Sequence, residues 1–285
     1  VERLEVDRRP GGAIATAAVV TDRAGATRRI GFRHVMVCGG AIQTPALLQR
    51  SGLGRRFGAP LAAHPTVKLA ARFADDVNVP DDVPVHQVSE FAPDLSFGGS
   101  ASSPGLVALA LSDHWALFGA AIEAWRQIAV YYAAITGEGR GRVVSVPGWR
   151  DPLVTYRLTR RDRALLGRGR ARLALVLLEA GATAVYPSFR GAPIVHSRRD
   201  LAALQGTFAA SRASLMTVHL CSTAPMGADP RRATTDRRGL VHGTTNVFVN
   251  DASLLPDAPG VNPQASVMAL AIRNVRRFLD GRAGR

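Results

Sequence analysis

HVMVCGGAIQTPALLQRSGLG, residues 34–54, decides how the chain folds. His34-Val-Met-Val-Cys38 has the apolar pattern of a buried strand, Gly39-Gly40 ends it, and Leu47 and Leu48 form the apolar face of a following helix. The expected order is strand, glycine pair, helix, with Thr44 as the N-cap, Pro45 at the first helical position and Ser51-Gly-Leu-Gly54 as the stop. A glycine pair after a buried strand lets the backbone approach a ligand closely or lets a helix pack tightly on a sheet. On these residues alone an ordinary strand-to-helix junction and a ligand-facing turn both stay open.

Upstream, Val1 to Val37 reads as β-structure, with Asp22-Arg-Ala-Gly25 as a turn between strands. Downstream the composition changes at about Ala59. Val67 to Phe73 reads as a strand, Pro80 to Phe97 as irregular, and Gly105 to Ile135 as largely one long helix. Gly137-Glu-Gly-Arg-Gly141 reads as a loop, followed by strands at Arg142–Val146 and Leu153–Arg157. Thr159-Arg-Arg-Asp162 is a capping-box start for a helix with apolar positions at Leu166, Leu173, Val176 and Leu177, stopped by Gly181. From about Leu215 the chain returns to glycine turns and short strands and closes in one helix.

Three further segments carry candidate chemistry. HLCSTAPMG, residues 219–227, sets a histidine beside small residues. A lone histidine in such a run is commonly a hydrogen-bonded structural residue, yet an imidazole titrating near pH 6.5 also suits a general base. VFVNDAS, residues 247–253, alternates up to Asp251, which is a turn aspartate or a carboxylate presented at a strand end. GVNPQASVM, residues 260–268, places Asn262 as a helix cap, Pro263 in the first turn, and Met268, Ala271, Ile272, Val275 and Leu279 along one expected buried stripe. The free N–H groups at such a helix start favour negative charge.

The order of these residues adds a second kind of information. From Gly40 to Gly54 the chain reads Gly-Ala-x-x-Thr-Pro-x-Leu-Leu-x-x-Ser-Gly-Leu-Gly, which resembles the second signature of the GMC (glucose-methanol-choline) family of FAD-dependent alcohol oxidoreductases. His219-x-x-Ser-Thr-x-x-Met-Gly227, Val249-x-Asp-Ala-Ser253 and Gly260-x-Asn-Pro263 are similar to the family's later motifs and stand in the family's order. The resemblance implies that Gly40, Ala41 and Thr44 lie near the flavin. It also implies that Asp251 and Ala252 lie at the ribityl-phosphate region, and that Asn262, Pro263 and Gln264 aim a helix start at the flavin's pyrimidine edge. His219 becomes the candidate base for the hydroxyl proton and Asn262 the second active-site residue, with the alcohol bound between a substrate domain and the flavin. His242, in Val241-His-Gly243, is read as structural.

The expected fold is therefore α/β, with α+β character in the substrate domain. Residues 1–58 and 214–285 would form part of an FAD-binding domain, and 59–213 an inserted sheet-plus-helices substrate domain. The family's Gly-x-Gly-x-x-Gly turn, which holds the FAD pyrophosphate, has no counterpart here. Gly137-Glu-Gly-Arg-Gly141 and Gly167-Arg-Gly169 have the wrong spacing and follow no buried strand. The expectation is thus the C-terminal portion of such an enzyme, needing a separate chain or segment for the other half. The alternative expectation is an inactive truncated product or non-catalytic subunit.

Composition narrows the remaining classes. The 285 residues are 47% hydrophobic and 20% charged, as expected for a folded globular protein. A formal charge of +14 invites a nucleic-acid reading, but Lys68 is the only lysine and the arginines are scattered without a basic stripe interleaved with aromatics. Cys38 and Cys221 have no metal spacing and are expected to be buried free thiols, consistent with a cytoplasmic protein. The histidines offer no paired metal spacing, so no metal site is expected. Asp113, Glu123 and Arg126 interrupt the longest apolar stretch, which argues against a membrane span.

Overall fold

The computed structural model describes residues 1–78, 87–88, 90–100, 102–204 and 208–283. In chain order these form strands β1 (Arg3–Arg9), β2 (Gly12–Thr21), β3 (Thr27–Gly31) and β4 (Val35–Val37), helix α1 (Gly40–Arg50), then β5 (Ala62–Ala63), β6 (Thr66–Arg72), β7 (Gln87–Val88) and β8 (Leu95–Ser100). There follow α2 (Pro104–Leu111), the single turn α3 (Trp115–Phe118), β9 (Ile128–Ile135), β10 (Arg140–Val144) and β11 (Leu153–Arg157). Helix α4 (Arg160–Glu179), β12 (Ala184–Pro187), β13 (Leu220–Cys221), β14 (Val247–Val249) and α5 (Gln264–Ala283) complete the chain. Two compact units result, one from residues 1–63, 139–157 and 219–285, the other from 64–138 and 158–218.

In the first unit β1, β2 and β3 form an antiparallel meander, and every second residue of β2, from Ala13 through Val19, is buried. That alternation is what a strand with one covered face requires. The Asp22 side chain closes the β2–β3 turn by accepting the N–H groups of Ala24 and Ala26. Strands β4 and β14 pair in parallel, Val35 to Val247 and Val37 to Val249. Asn246 ties this pair to the meander. Its buried side chain accepts from the Ala15 N–H at 2.9 Å and donates to the carbonyls of Ala15 at 2.7 Å and Arg33 at 2.8 Å, the two bonds to Ala15 being buried.

The β10–β11 hairpin belongs to this unit, although the sequence reading placed residues 139–157 inside the middle block. Gly141 exchanges both backbone hydrogen bonds with Leu61, and the Val143 N–H donates to the Gly58 carbonyl. Strand β10 begins at Arg140, inside the stretch read as a loop. Gly141 is confined there because a Cβ would stand 2.2 Å from the Thr155 carbonyl oxygen. Gln49 of α1 locks the hairpin in place: its amide donates to the Phe57 and Val143 carbonyls and accepts from the Ser145 N–H.

The second unit is an antiparallel sheet in the order β12-β6-β9-β8-β7. One face carries Val67, Leu69, Phe97 and Ala133 and packs on α4 through Leu165, Leu166, Leu173 and Leu177. The other carries Ala70, Val130 and Tyr186 and packs on α2 and Phe118. The expected capping box forms at Thr159 and Asp162, and Gly181 follows the helix end with φ +93°. Val176 of the expected stripe is exposed.

Several sequence expectations are corrected. The long helix over Gly105–Ile135 is broken: α2 ends at Leu111, short helical turns follow to Gln127, and Ile128–Ile135 is the central strand β9. Both faces of that strand are covered, so its run lacks alternation, and period alone cannot separate it from a buried helix. The irregular reading of Pro80–Phe97 falls partly outside the described residues, and within the rest lie strand β7 and the start of β8. Cys38 is exposed at the end of β4, whereas Cys221 is buried as expected. The stripe on α5 is also different, because Met268, Ile272 and Leu279 are 57%, 52% and 56% exposed. Buried Asn274 instead faces inward, bonded to Asn250, and Phe278 packs edge-on against His34 and Phe248. Among the described residues no helix is long and apolar enough to cross a membrane.

Asn246→Leu keeps the volume of the side chain but removes the partners of the Ala15 N–H and of two carbonyls. Unsatisfied buried groups cost about 1–3 kcal/mol each, so urea unfolding should show a stability loss of at least about 2 kcal/mol. An unchanged midpoint would show that water replaces the amide there.

Candidate active site

The parallel pairing of β4 with β14 brings two strand ends to the same edge, and the chain leaves each through a turn rich in small residues. Gly39-Gly40 follows β4, and Asn250-Asp251 follows β14, with the Asn250 N–H donating to the Val37 carbonyl at 2.9 Å. Gly40 has φ +73°, a conformation that glycine adopts without steric cost, and a Cβ added there would meet nothing within 4 Å. The backbone at this turn is therefore open to close approach.

One carboxylate fastens the turn. Asp251 accepts from the Gly40 N–H at 2.9 Å and from the Thr44 hydroxyl through one oxygen, and from the Ser253 N–H and hydroxyl through the other. These four donors occupy the acceptor positions of a carboxylate. Asp251 thus shapes the wall, and Ala252 opens the short 3-10 turn that it caps. Thr44 is not the N-cap that the sequence suggested. The helix starts at Gly40, and the Thr44 hydroxyl reaches back to accept the Gly39 N–H at 2.9 Å while donating to Asp251.

Starting the helix early puts Pro45 inside it, where the missing N–H leaves the Ala41 carbonyl without its i+4 donor. The buried Thr223 hydroxyl supplies that donor at 2.8 Å. Sequence reasoning missed Thr223 because it assigned Pro45 to the first turn. A proline five residues into a helix would have called for an outside donor. Just before it, Ser222 is fully buried with φ +71°, and its hydroxyl donates to the Pro256 carbonyl at 2.8 Å. A left-handed backbone suits glycine, and Ser222 adopts it against the usual preference of an L side chain.

His219 immediately precedes β13, which pairs with β5 through Leu220 to Ala63 and Cys221 to Ala62. Its imidazole is half-buried, and desolvation holds its pKa below the ordinary histidine value. The ring is therefore neutral at neutral pH and able to accept a proton. Burial, then the Asp257 carboxylate, pushes the Cys221 thiol up to about 11. Although Cys38 is exposed as a residue, partial desolvation of its thiol and the Asp251 carboxylate raise its pKa too. Neither cysteine is poised as a thiolate nucleophile.

Asn262 stands exposed in the turn before α5, with Pro263 buried beneath it and Gln264 exposed at the first helical position. The first helical bond runs from the Val267 N–H to the Pro263 carbonyl at 2.9 Å, so Pro263 takes the capping position expected of Asn262. No acidic residue occupies the first turn. Gly40, Ala41, Thr44, Asp251 and Ala252 are thus gathered into one bonded wall, and Thr223 ties the His219 segment to it. Among the described residues Asn262 makes no hydrogen bond to that cluster. His242 is bonded through its Nε2 to the Gly227 carbonyl at 3.2 Å, the structural placement expected for it.

Two family models, both described as GMC oxidoreductase, match residues 1–66 and 138–271. The chain belongs to the GMC oxidoreductase family. It is 36% identical over 277 residues to an uncharacterised GMC-type oxidoreductase of Sinorhizobium fredii, covering 96% of this chain and 54% of that protein. It is 28% identical to the 5-(hydroxymethyl)furfural oxidase of a Methylovorus species, covering 92% of this chain and 53% of that protein. In fold it is similar to a formate oxidase variant of Aspergillus oryzae examined for FAD modification, with a TM-score of 0.62, 19% identity, and coverage of 96% and 58% of the two chains. The GMC chain described here thus spans about half the length of these proteins. The family's members and the structural neighbours are FAD-binding oxidoreductases, which fits the open glycine turn and the acid-free first turn of α5.

The Thr223–Ala41 bond can be tested by double substitution. Thr223→Val should destabilise the first unit by about 1–3 kcal/mol, the cost of an unpaired buried carbonyl. Adding Pro45→Ala, which restores an N–H for the Ala41 carbonyl, should recover much of that loss in denaturant unfolding. Additive losses in the double variant would contradict the assignment.

Proposed function

We propose that this chain supplies the flavin-side wall and the catalytic histidine of an FAD-dependent enzyme that oxidises an alcohol to an aldehyde or ketone. The observation that carries this reading is the joining of His219 to the glycine turn, through Thr223 and the Ala41 carbonyl, at the carboxyl ends of two parallel strands. Ligands of open α/β sheets bind outside such strand ends. Oxidation of an alcohol by the Methylovorus relative supports the same reaction class.

The residues fit a flavin on physical grounds. Gly40 leaves backbone open to a flat ring, Ala41 and Ala252 add little bulk, and the start of α5, where Asn262 and Pro263 lead into Gln264, offers the N–H groups of its first turn from Gln264 onward to negative charge. Bound FAD would supply the acceptor for the hydride, with its two electrons, that leaves the alcohol carbon. The protein's own part is proton handling and orientation. Neutral His219 takes the hydroxyl proton as the C–H bond breaks, and the exposed amide of Asn262 orients the substrate oxygen.

The reading includes a second polypeptide segment that holds the FAD pyrophosphate. Support comes from the exposed Met268, Ile272 and Leu279 stripe of α5, an apolar face suited to a partner surface, and from the half-length match to the relatives. A separate chain or a continuous segment serves equally.

The test uses this chain together with a segment carrying the family's Gly-x-Gly-x-x-Gly half, reading alcohol-dependent flavin reduction under single-turnover conditions. His219→Ala should slow reduction by roughly 10²–10⁴-fold, and Asn262→Ala should act in the same direction but less severely. Flavin content should hold in both, and a His242 substitution should leave turnover within severalfold. The pH dependence has a fixed sign. A base must be unprotonated, so kcat/KM should fall as pH drops through the His219 pKa, and desolvation places that acid limb below the ordinary histidine value near 6.5. Wild-type rates in the His219 variant, or an acid limb that survives it unchanged, would remove the histidine from this role.

A further inference from the structure

The second unit holds a positive group that the flavin reading does not use. Lys68 is the only lysine in a chain whose other basic side chains are arginines and histidines. It projects from β6 on the face that carries Ala70, and the register places Lys68 opposite Tyr132 on β9 and Tyr132 opposite Gly98 on β8. Helix α2 and Phe118 cover the part of this face around Ala70, Val130 and Tyr186. Lys68 and Tyr132 lie one pleat beyond that cover, half-buried.

The Lys68 ammonium donates to the Ser100 hydroxyl at 3.2 Å, a neutral partner. Among the described residues no carboxylate lies within ion-pair distance. Asp113, in the segment after α2, accepts from the Ser214 hydroxyl at 2.7 Å, and Asp94 pairs with Arg161. Desolvation by its half-burial lowers the Lys68 pKa. The Tyr132 ring crosses Gly98 closely. A Cβ on Gly98 would stand 2.4 Å from the Tyr132 hydroxyl, so glycine is required for the ring to lie there. That hydroxyl has no partner among the described residues.

We propose that Lys68, Ser100 and Tyr132 form a binding site for a small carboxylate-bearing molecule on the open part of this sheet. The ammonium and two hydroxyls are donors carried on the same face of three adjacent strands. One cation matches one negative charge. The next basic residue on this face, Arg72, lies four residues along the strand, about 13 Å away at the usual strand rise, and bonds to Gln127. A doubly charged phosphate would find no second cation, so a carboxylate fits better. The site rests on the second unit alone and is independent of the oxidation reading.

The single lysine makes the test direct. Protein grown on 13C-labelled lysine carries one ε-methylene signal, which is followed while benzoate is added and, separately, neutral benzamide. Saturable movement with benzoate and none with benzamide is expected. Tyr132→Phe should weaken benzoate binding roughly tenfold, the scale of one hydrogen bond to a charged group. Gly98→Ala, which displaces the ring and leaves the lysine in place, should weaken it similarly. A signal that ignores benzoate overturns the proposal, as does one that follows benzamide equally. Undiminished binding in both variants would remove Tyr132 and overturn the three-residue site. Alcohol oxidation enters none of these readouts, so loss of the oxidation reading would leave this outcome intact, and the reverse.

Discussion

The carboxylate of Asp251 is the constraint on which the glycine-turn wall of the first unit depends. Strand β4 and strand β14 lie more than two hundred residues apart in the chain, yet they pair in parallel and end together. Beyond that edge the Gly40 and Ser253 N–H groups are held by the Asp251 side chain. Asp251 takes the Gly40 N–H and the Thr44 hydroxyl on one oxygen and the two Ser253 donors on the other, so a single side chain sets both turns at once. Hydrogen bonds to a charged acceptor are the stronger kind. Their saturation also means that the aspartate acts on any ligand through the backbone it arranges.

A second dependency follows from the first. Because the clamp pulls the helix start back to Gly40, Pro45 falls inside α1 and the Ala41 carbonyl loses its helical donor. Thr223 replaces that donor and so couples the glycine turn to the segment that carries His219. The adjacent Ser222 accepts a left-handed backbone, which costs a non-glycine residue roughly 1–3 kcal/mol. Its hydroxyl bond to Pro256 offsets part of that. The three motifs are therefore one mechanical object, and the half-buried imidazole inherits its placement and its lowered basicity from it.

The second unit works by contrast of faces. On the α4 face of its sheet the side chains are aliphatic or aromatic, and helix and strands close on one another. On the opposite face the cover is partial, and polar groups begin where α2 ends its contact. A lysine at that margin stands out because burial penalises an ammonium, and among the described residues its one bonded partner is the neutral Ser100 hydroxyl.

What the sequence by itself determined is the set of features that local chemistry dictates. The strand–glycine–helix junction at His34 to Arg50, the Asp22 turn, the Thr159–Asp162 capping box and the Gly181 stop were all legible, since each needs only neighbours within a few residues. Motif order identified the family and nominated His219, Gly40 and Asp251. The tertiary structure alone decided which partner each polar group has. It moved the helix start from Thr44 to Gly40 and assigned Thr223 to the Ala41 carbonyl. It turned Ile128–Ile135 into a central strand, because a segment buried on both faces carries no period to read. It also placed the 139–157 hairpin with the terminal segments, through Gln49 and the Leu61–Gly141 bonds. Periodicity misjudged α5 as well: Met268, Ile272 and Leu279 are apolar and evenly spaced, yet the face that packs is the one carrying Asn274 and Phe278. Spacing shows that a helix has an apolar side, whereas only the contacts made by the rest of the chain decide which side they cover.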